Sequence, residues 1–158
     1  MILTLLITIL ALAGSPEWET VTESEKAEVL SKAAQAGARD VSADFVMERH
    51  SPLIDQVMTT SGHMSLKGRK VLEWTAGNRK DVIAMRNIDL SDTNAVKTTV
   101  EKDGDRYLIT VFPVRKTLKN AFSKVVIEAT ADLVPESVKI ETASGDWTLL
   151  IFKNVRYA

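Results

Sequence analysis

The strongest constraint on the fold is an alternation of apolar and polar residues between Val41 and Trp74. A period of two residues gives a strand one apolar face and one hydrated face, which is typical of an antiparallel sheet. We therefore predict three successive strands here. The apolar face carries methionine and aromatic side chains, which adapt to flexible guests more readily than valine or isoleucine. Its members in the first two strands are Val41, Ala43, Phe45, Met47, Met58, Thr60, Gly62, Met64 and Leu66.

The size and charge of the chain limit its class. Its 158 residues suffice for one domain with a real core. A net charge of −1 gives no electrostatic reason to expect nucleic acid as a partner. Cysteine is absent from the sequence, which excludes disulfides and thiolate metal sites.

The N-terminus predicts export. Ile2 to Leu12 is an uncharged apolar run that ends in the small-x-small sequence Ala11-Leu12-Ala13, as in a secretory signal peptide. The run is shorter than the ~20 residues of a membrane-spanning helix. A buried first strand or helix is the alternative. We expect a signal peptide over residues 1–13, a flexible segment over 14–21 and a single domain over 22–158, located in the periplasm.

One helix precedes the strands. Thr22 and Glu25 have the spacing of a capping box, and the apolar pattern continues to about residue 36, with Ala27, Leu30 and Ala34 on one face. Further strands follow, and Asp103-Gly104 is the strongest hairpin signal among them. Residues 114–123 form either a second short helix or an irregular crossing.

The predicted fold class is α+β, mainly antiparallel β. About eight or nine strands joined by short turns favour a meander. We expect a half-open curved sheet or incomplete barrel, with the helix or helices over an apolar cavity.

Several short motifs in this order resemble the periplasmic outer-membrane lipoprotein carriers, the LolA-like family. The likeness extends from about residue 24 onward. The motifs are Ser42-Ala43-Asp44-Phe45 after the helix, Ser61-Gly62, Leu72-Glu73-Trp74, the strand Tyr107 to Pro113, and the closing hairpin Pro135 to Asn154.

The resemblance implies a periplasmic carrier that binds lipoprotein acyl chains in a hydrophobic cavity and moves them from the inner to the outer membrane. It also implies a monomer without a cofactor, an inner-membrane ATP-driven lipoprotein-releasing complex as donor and an outer-membrane acceptor. The chain has no phosphate-binding Gly-x-x-x-x-Gly-Lys-Ser/Thr loop of its own.

The chain departs from the family pattern in three places. Gly68 and Arg69 stand where the family has an arginine-proline pair whose arginine helps to latch the lid, so either Arg69 is the lid latch or the latch is missing. Met47 stands where the family has a glutamine, and the family's final strand has no counterpart before Ala158.

Ten residues are candidates for the cavity lining. Apolar alternation alone favours a packed core over a cavity, and only the family resemblance favours the cavity. Burying a CH₂ gains about 0.8 kcal/mol, so a carrier that must release its cargo needs a shallow hollow. The candidates are Phe45, Met47, Met58, Met64, Leu66, Leu72, Trp74, Met85, Ile109 and Val111.

No motif predicts catalysis. His50 and His63, the two histidines, lack metal-binding spacing, and the Gly-x-Ser-x-Gly nucleophile motif is absent. We predict neither enzyme activity nor a metal or cofactor. The alternative function is an exported module of the same fold that senses or scaffolds a lipid or lipoprotein without shuttling it.

Overall fold

The computed structural model describes residues 17–37, 39–67, 71–76, 79–84 and 89–157. The described part contains one ten-stranded sheet and two helices. In chain order the elements are β1 Glu19–Thr20, α1 Glu23–Gly37, β2 Val41–Ser51, β3 Ile54–Lys67, β4 Val71–Ala76, β5 Arg79–Ala84, β6 Val96–Asp103, β7 Arg106–Pro113, α2 Lys116–Lys119, β8 Lys124–Thr130, β9 Pro135–Glu141 and β10 Trp147–Tyr157.

All strand pairs of the described sheet are antiparallel, in the order β1-β6-β7-β8-β9-β10-β2-β3-β4-β5. Two meanders, β2 to β5 and β6 to β9, are joined through β10, which pairs with β9 on one side and β2 on the other. The sheet is open rather than closed into a barrel. The predicted fold class is therefore confirmed.

Helix α1 begins where the capping box predicted. The Thr22 hydroxyl accepts a hydrogen bond from the Glu25 N–H at 3.2 Å, and the Thr22 carbonyl accepts one from the Lys26 N–H at 2.9 Å. The Glu25 carboxylate reaches the sheet, where it accepts from Lys102 Nζ at 3.3 Å and from the Tyr107 hydroxyl at 3.4 Å. The first turn of α1 is thus tied to β6 and β7.

The connections agree with the predicted turns in part. Asp103 pairs with Arg106 across a hairpin in which Gly104 has a φ of +56°, as the Asp-Gly signal predicted. The sequence Gly77-Asn78-Arg79-Lys80 predicts a four-residue turn after β4, but this prediction is wrong, because Arg79 already pairs with Ala76. In the ambiguous segment 114–123 a single helical turn forms, α2.

Glu19 and Thr20 lie in the segment that we expected to be flexible, and they pair with Lys102 and Glu101 at the edge of the sheet. The predicted signal peptide lies outside the described residues.

The core lies between α1 and the strands β6, β7 and β8. Val29 and Leu30 of the helix pack on a cluster of buried residues from these strands and their connections. Burial of such side chains contributes about 1.5–3 kcal/mol each. The helix α1 is therefore stabilised mainly by its packing on the sheet. The other buried members are Ala95, Val96, Val100, Ile109, Val111, Phe122, Ala129 and Leu133.

Candidate functional site

The sheet has one continuous apolar face, here called the inner face, on which α1 lies. Residues directly opposite each other in an antiparallel pair project from the same side of the sheet. By register, Val100, Ile109 and Ile127 of one meander project from the same side of the sheet. Leu150 in β10 and Met47 in β2, which pair with each other, continue this side. The series continues through β3 and β4, where Ala43 lies opposite Met64 and Met64 opposite Trp74.

The two ends of the inner face differ in how they are covered. Over β6 and β7 the side chains lie under α1, and Ile109 and Val111 are each 3% exposed. Over β10, β2 and β3 the inner-face residues Met47, Met64 and Phe152 are only half-buried. One end of the face is thus a packed core, and the other remains partly open.

A cavity of about 1050 Å³ lies along α1, between the helix, the segment Asp89–Thr93 and the beginning of β6. Leu66 of β3 contributes to its wall from the other meander. The helix presents one face to the cavity, since its lining residues recur at the three- and four-residue spacing of a helical stripe. They include Glu23, Ala27, Leu30, Ala34 and Gly37.

Small side chains keep this cavity open. Ala27, Ala33 and Ala34 line it from α1, and Ala27 and Ala34 are exposed although they belong to the apolar stripe of the helix. Larger residues here would extend across the space toward β6. The stripe therefore stabilises the helix through Leu30 and leaves an apolar hollow beside its alanines.

The wall opposite the helix is held by hydrogen bonds. The Asp89 carboxylate accepts from the Ser91 N–H at 2.9 Å and from the Ser91 hydroxyl at 2.6 Å. The Thr98 hydroxyl donates to the Leu90 carbonyl at 2.9 Å, which fixes the segment to β6. The wall is therefore held in place by hydrogen bonds among the protein's own groups.

The rim of the cavity is polar and carries charges of both signs. Lys26 and Lys97 line it together with Glu23 and Asp89. An apolar interior with a mixed polar rim suits an amphiphile, whose apolar part enters while its polar part stays in water. The described residues contain no group of three or more His, Cys, Asp or Glu that could hold a metal ion.

An aromatic pair occupies the inner face of β2 and β4. The Phe45 and Trp74 rings stack with centroids 4.0 Å apart, and Phe45 is 2% exposed. Gly62 lies opposite Phe45, and a Cβ at this glycine would be 2.5 Å from Phe45 Cζ and in contact with the Thr75 carbonyl oxygen. The glycine thus makes room for the ring that reaches across it to Trp74.

The structure separates the predicted lining residues into groups. Leu66 lines the cavity, whereas Ile109 and Val111 lie in the core under α1. Leu72 occupies the register position opposite Leu66. Phe45 and Trp74 form the aromatic pair, with Met47 and Met64 half-buried beside them on the same face, while Met58 is 56% exposed at the far end of β3. Met85 and the candidate latch Arg69 lie outside the described residues.

Sequence reasoning missed the α1 side of the cavity and the segment Asp89–Thr93. The signal for the helix was present, because Ala27, Leu30 and Ala34 had been placed on one face. The helix is expected over an apolar cavity, but none of its residues is among the ten lining candidates. The segment Asp89–Thr93 carried no signal for a cavity wall, since its turn residues are equally typical of any surface loop.

A polar cluster lies on the opposite, outer face. Asp44 Oδ1 lies 2.9 Å from His63 Nδ1, and Asn154 Nδ2 donates to Asp44 Oδ2 at 3.0 Å. The hydrogen bonds from Asn154 and His63, with the charge of Arg156, hold the pKa of the Asp44 carboxyl below its usual 3.8. The cluster is exposed, and Asn154 also lines a second hollow of about 610 Å³ beside β9 and β10.

Three solved structures are similar to this chain in the path of the backbone. One is a LolA superfamily protein from Nitrosomonas europaea, matched over 84% of this chain and 93% of its own, with 9% identity and a TM-score of 0.45. Another is a DUF1329 family protein from Desulfovibrio piger, matched over 82% and 90%, with 13% identity and a TM-score of 0.37.

A third is a domain from Vibrio parahaemolyticus described as an outer membrane lipoprotein-sorting protein domain, matched over 81% and 91%, with 10% identity and a TM-score of 0.38. At TM-scores below 0.5 these similarities carry no conclusion about ligands or partners. No family model and no curated protein matches the chain. Neither described helix has the length and apolar character required to cross a bilayer.

Proposed function

We propose that this protein is a periplasmic carrier that binds the acyl chains of lipoproteins and moves them from the inner to the outer membrane. The observation that carries the proposal is the cavity beside α1, which is open, apolar within and polar at its rim. Its volume of about 1050 Å³ slightly exceeds the roughly 300–1,000 Å³ of small-molecule sites. An acyl chain is long and flexible, and such a hollow accommodates it without a close fit.

The energetics favour reversible binding. Each buried CH₂ contributes about 0.8 kcal/mol, so complete burial of a long acyl chain would make its release slow. The cavity is open to solvent along α1, since Ala27 and Ala34 are exposed. A chain lying there is covered on one side only, and partial burial reduces the free energy of binding to a range compatible with transfer.

The export, the donor complex and the outer-membrane acceptor are parts of the proposal supported by the sequence motifs that resemble the lipoprotein carriers. The apolar N-terminal run supports export, and those motifs support the direction of transfer. The monomeric state expected of a carrier is also a part of the proposal that rests on these motifs.

A substitution that fills the cavity tests the binding site. Ala34→Trp places a large side chain in the hollow from an exposed helix position, so the fold is retained while the space for a ligand is lost. We expect at least a ten-fold weaker uptake of a fluorescent fatty acyl probe, measured by titration. The matched control is Lys32→Trp on the same helix, where the side chain is 63% exposed and does not line the cavity.

Two outcomes would contradict the proposal. Equal uptake by Ala34→Trp and the parent protein would mean that the acyl chain binds elsewhere, and no uptake by the parent would mean that the cavity is not an acyl site. Carrying is then separated from sensing by transfer of a labelled lipoprotein from donor to acceptor vesicles. A protein that takes up the probe but never accelerates transfer is a sensing or scaffolding module.

A further inference from the structure

The end of the β2–β3 hairpin is the most apolar exposed part of the described structure. Leu53 is 93% exposed, and Ile54, Val57 and Met58 are 48%, 47% and 56% exposed. Pro52 and Leu53 form the turn, and the other three residues begin β3. These five residues are called the hairpin tip below.

The packing of the described residues does not explain the apolar side chains at this point. The tip takes no part in the core, which lies at the other end of the inner face under α1. A cluster of exposed apolar residues at one end of a hairpin costs solubility, and such patches mark contact with another apolar phase or molecule.

The backbone of the tip is irregular, which argues against pairing with a further strand. The register shifts where Arg49 pairs with Met58 but Ser51 pairs with Ile54, so β3 carries extra residues at this place. Bulges of this kind twist a sheet edge away from a flat template and disfavour edge-to-edge association. The first residues of β3 lie beyond the ladder with β4, which stops at Gly62, so they form a local edge. An apolar tip on this bulged edge fits a partner that needs no hydrogen-bonded strand and no complementary shape.

Behind the tip, side chains typical of a membrane interface lie on both faces of the sheet. Trp147 lies opposite His50 and stacks on it with centroids 5.3 Å apart. Lys139 Nζ lies 5.1 Å from the centre of the Trp147 ring, and Arg49 is exposed on β2. Tryptophan, lysine and arginine prefer the boundary between lipid tails and water, because each combines an apolar body with a polar end.

We propose that the hairpin tip inserts into the surface of a lipid bilayer, with Leu53 deepest and Trp147, Lys139 and Arg49 at the level of the headgroups. This inference is independent of the acyl-binding cavity, although a carrier that exchanges lipidated cargo gains from touching a membrane.

The contribution of charge to this contact is small. The chain has a net charge of −1, and the one charged residue between Pro52 and Thr60 is Asp55. Attachment through four aliphatic side chains is driven by burial of apolar area, which salt does not screen. Binding is therefore expected to neutral and anionic vesicles alike.

Flotation with vesicles tests the proposal. The purified protein is mixed with phosphatidylcholine vesicles at 0.15 M and 1 M salt, and the bound fraction is measured. We expect reversible binding at both salt concentrations, and at least a ten-fold loss of affinity for Leu53→Asp. Because Leu53 is almost fully exposed, this variant retains its fold, which circular dichroism verifies. The control is Phe112→Asp, at an apolar residue 38% exposed on β7 and outside the tip.

A second measurement reports the depth of the tip. In Leu53→Trp the new indole is expected to shift its emission to shorter wavelength on vesicles and to be quenched by brominated acyl chains. In Phe112→Trp neither change is expected.

Three outcomes would overturn the proposal. The first is no vesicle binding by the parent protein, and the second is equal binding by Leu53→Asp. The third is a dimer in the absence of lipid that Leu53→Asp converts to a monomer, which would assign the tip to a second copy of the chain. The cavity variant Ala34→Trp should bind vesicles normally and Leu53→Asp should take up the acyl probe from solution, so the two proposals fail separately.

Discussion

At the scale of single residues, Gly62 shows how one missing side chain organises the inner face. The position needs a residue without a Cβ because the Phe45 ring and the Thr75 carbonyl occupy the space. Aromatic side chains that lie over a glycine in a neighbouring strand stabilise that strand by covering its backbone. Stacking on Trp74 adds about 0.5–1.5 kcal/mol beyond the buried area.

Substitution of Gly62 by alanine should destabilise the protein. Elsewhere a change from glycine to alanine stabilises a strand slightly through the unfolded state, but here the new Cβ must displace a ring and a backbone atom. We expect a loss of about 1–3 kcal/mol in the free energy of unfolding, measured by urea denaturation. Ser61→Ala, one residue away on the other face, should change the free energy by less than about 0.5 kcal/mol. Equal effects of the two substitutions would contradict the role given to Gly62.

The Asp44 carboxyl provides a prediction about pH. Its pKa is lowered chiefly by the hydrogen bond from Asn154, then by His63. A lowered pKa in the folded state means that the stabilising contribution is complete above about 3.8 and disappears as the pH falls through the folded value. Asn154 has a φ of +54°, so Asn154→Gly removes the amide without backbone strain.

We expect Asn154→Gly to raise the pKa of Asp44 toward 3.8, as followed by carboxyl carbon NMR between pH 2 and 7. Arg156→Gln should raise it less, because the arginine acts only through its charge and is the smallest of the causes. An unchanged Asp44 titration in Asn154→Gly would refute the hydrogen bond as the main cause.

At the scale of elements, local sequence predicted what local forces determine. Thr22 and Glu25 gave the start of α1, because capping satisfies N–H groups within one turn. Alternation gave the shared face of Phe45, Gly62 and Met64, because side-chain direction in a strand is fixed by its period.

The same reasoning could not predict contacts between distant elements. The Glu25 carboxylate fits the capping box by spacing, yet it binds Lys102 and Tyr107. The sequence likewise did not distinguish Ile109, which is covered by α1, from Leu66, which lines the cavity, since both are apolar residues of alternating strands. Whether such a residue is covered depends on where α1 packs on the sheet, and a local sequence pattern does not determine where the helix packs.

At the scale of the whole molecule, β10 holds the described sheet together. It is the only described strand that pairs with both meanders, placing Leu150 between Val138 and Met47. Two residues further along β10, Phe152 lies opposite Phe45 of the aromatic pair. The packed core of β6 to β9 and the more open β2 to β5 therefore behave as one sheet only through this strand. Pairing between the last strand and the first long one is non-local, and its entropic cost is recovered only when both meanders are formed.

Removal of β10 should separate the two meanders. A chain that ends at Asp146 leaves β2 and β9 as open edges and uncovers the inner-face neighbours of Phe45 and Met47. We expect it to lose the single cooperative transition in urea and the near-ultraviolet circular dichroism of Trp74, which stacks on Phe45 and is retained in the shortened chain. Deletion of Glu19 and Thr20, which removes β1 from the end of the sheet, should lower the midpoint but keep one transition. If the chain ending at Asp146 still unfolds in one transition with a midpoint close to that of the β1 deletion, then β10 does not unite the sheet.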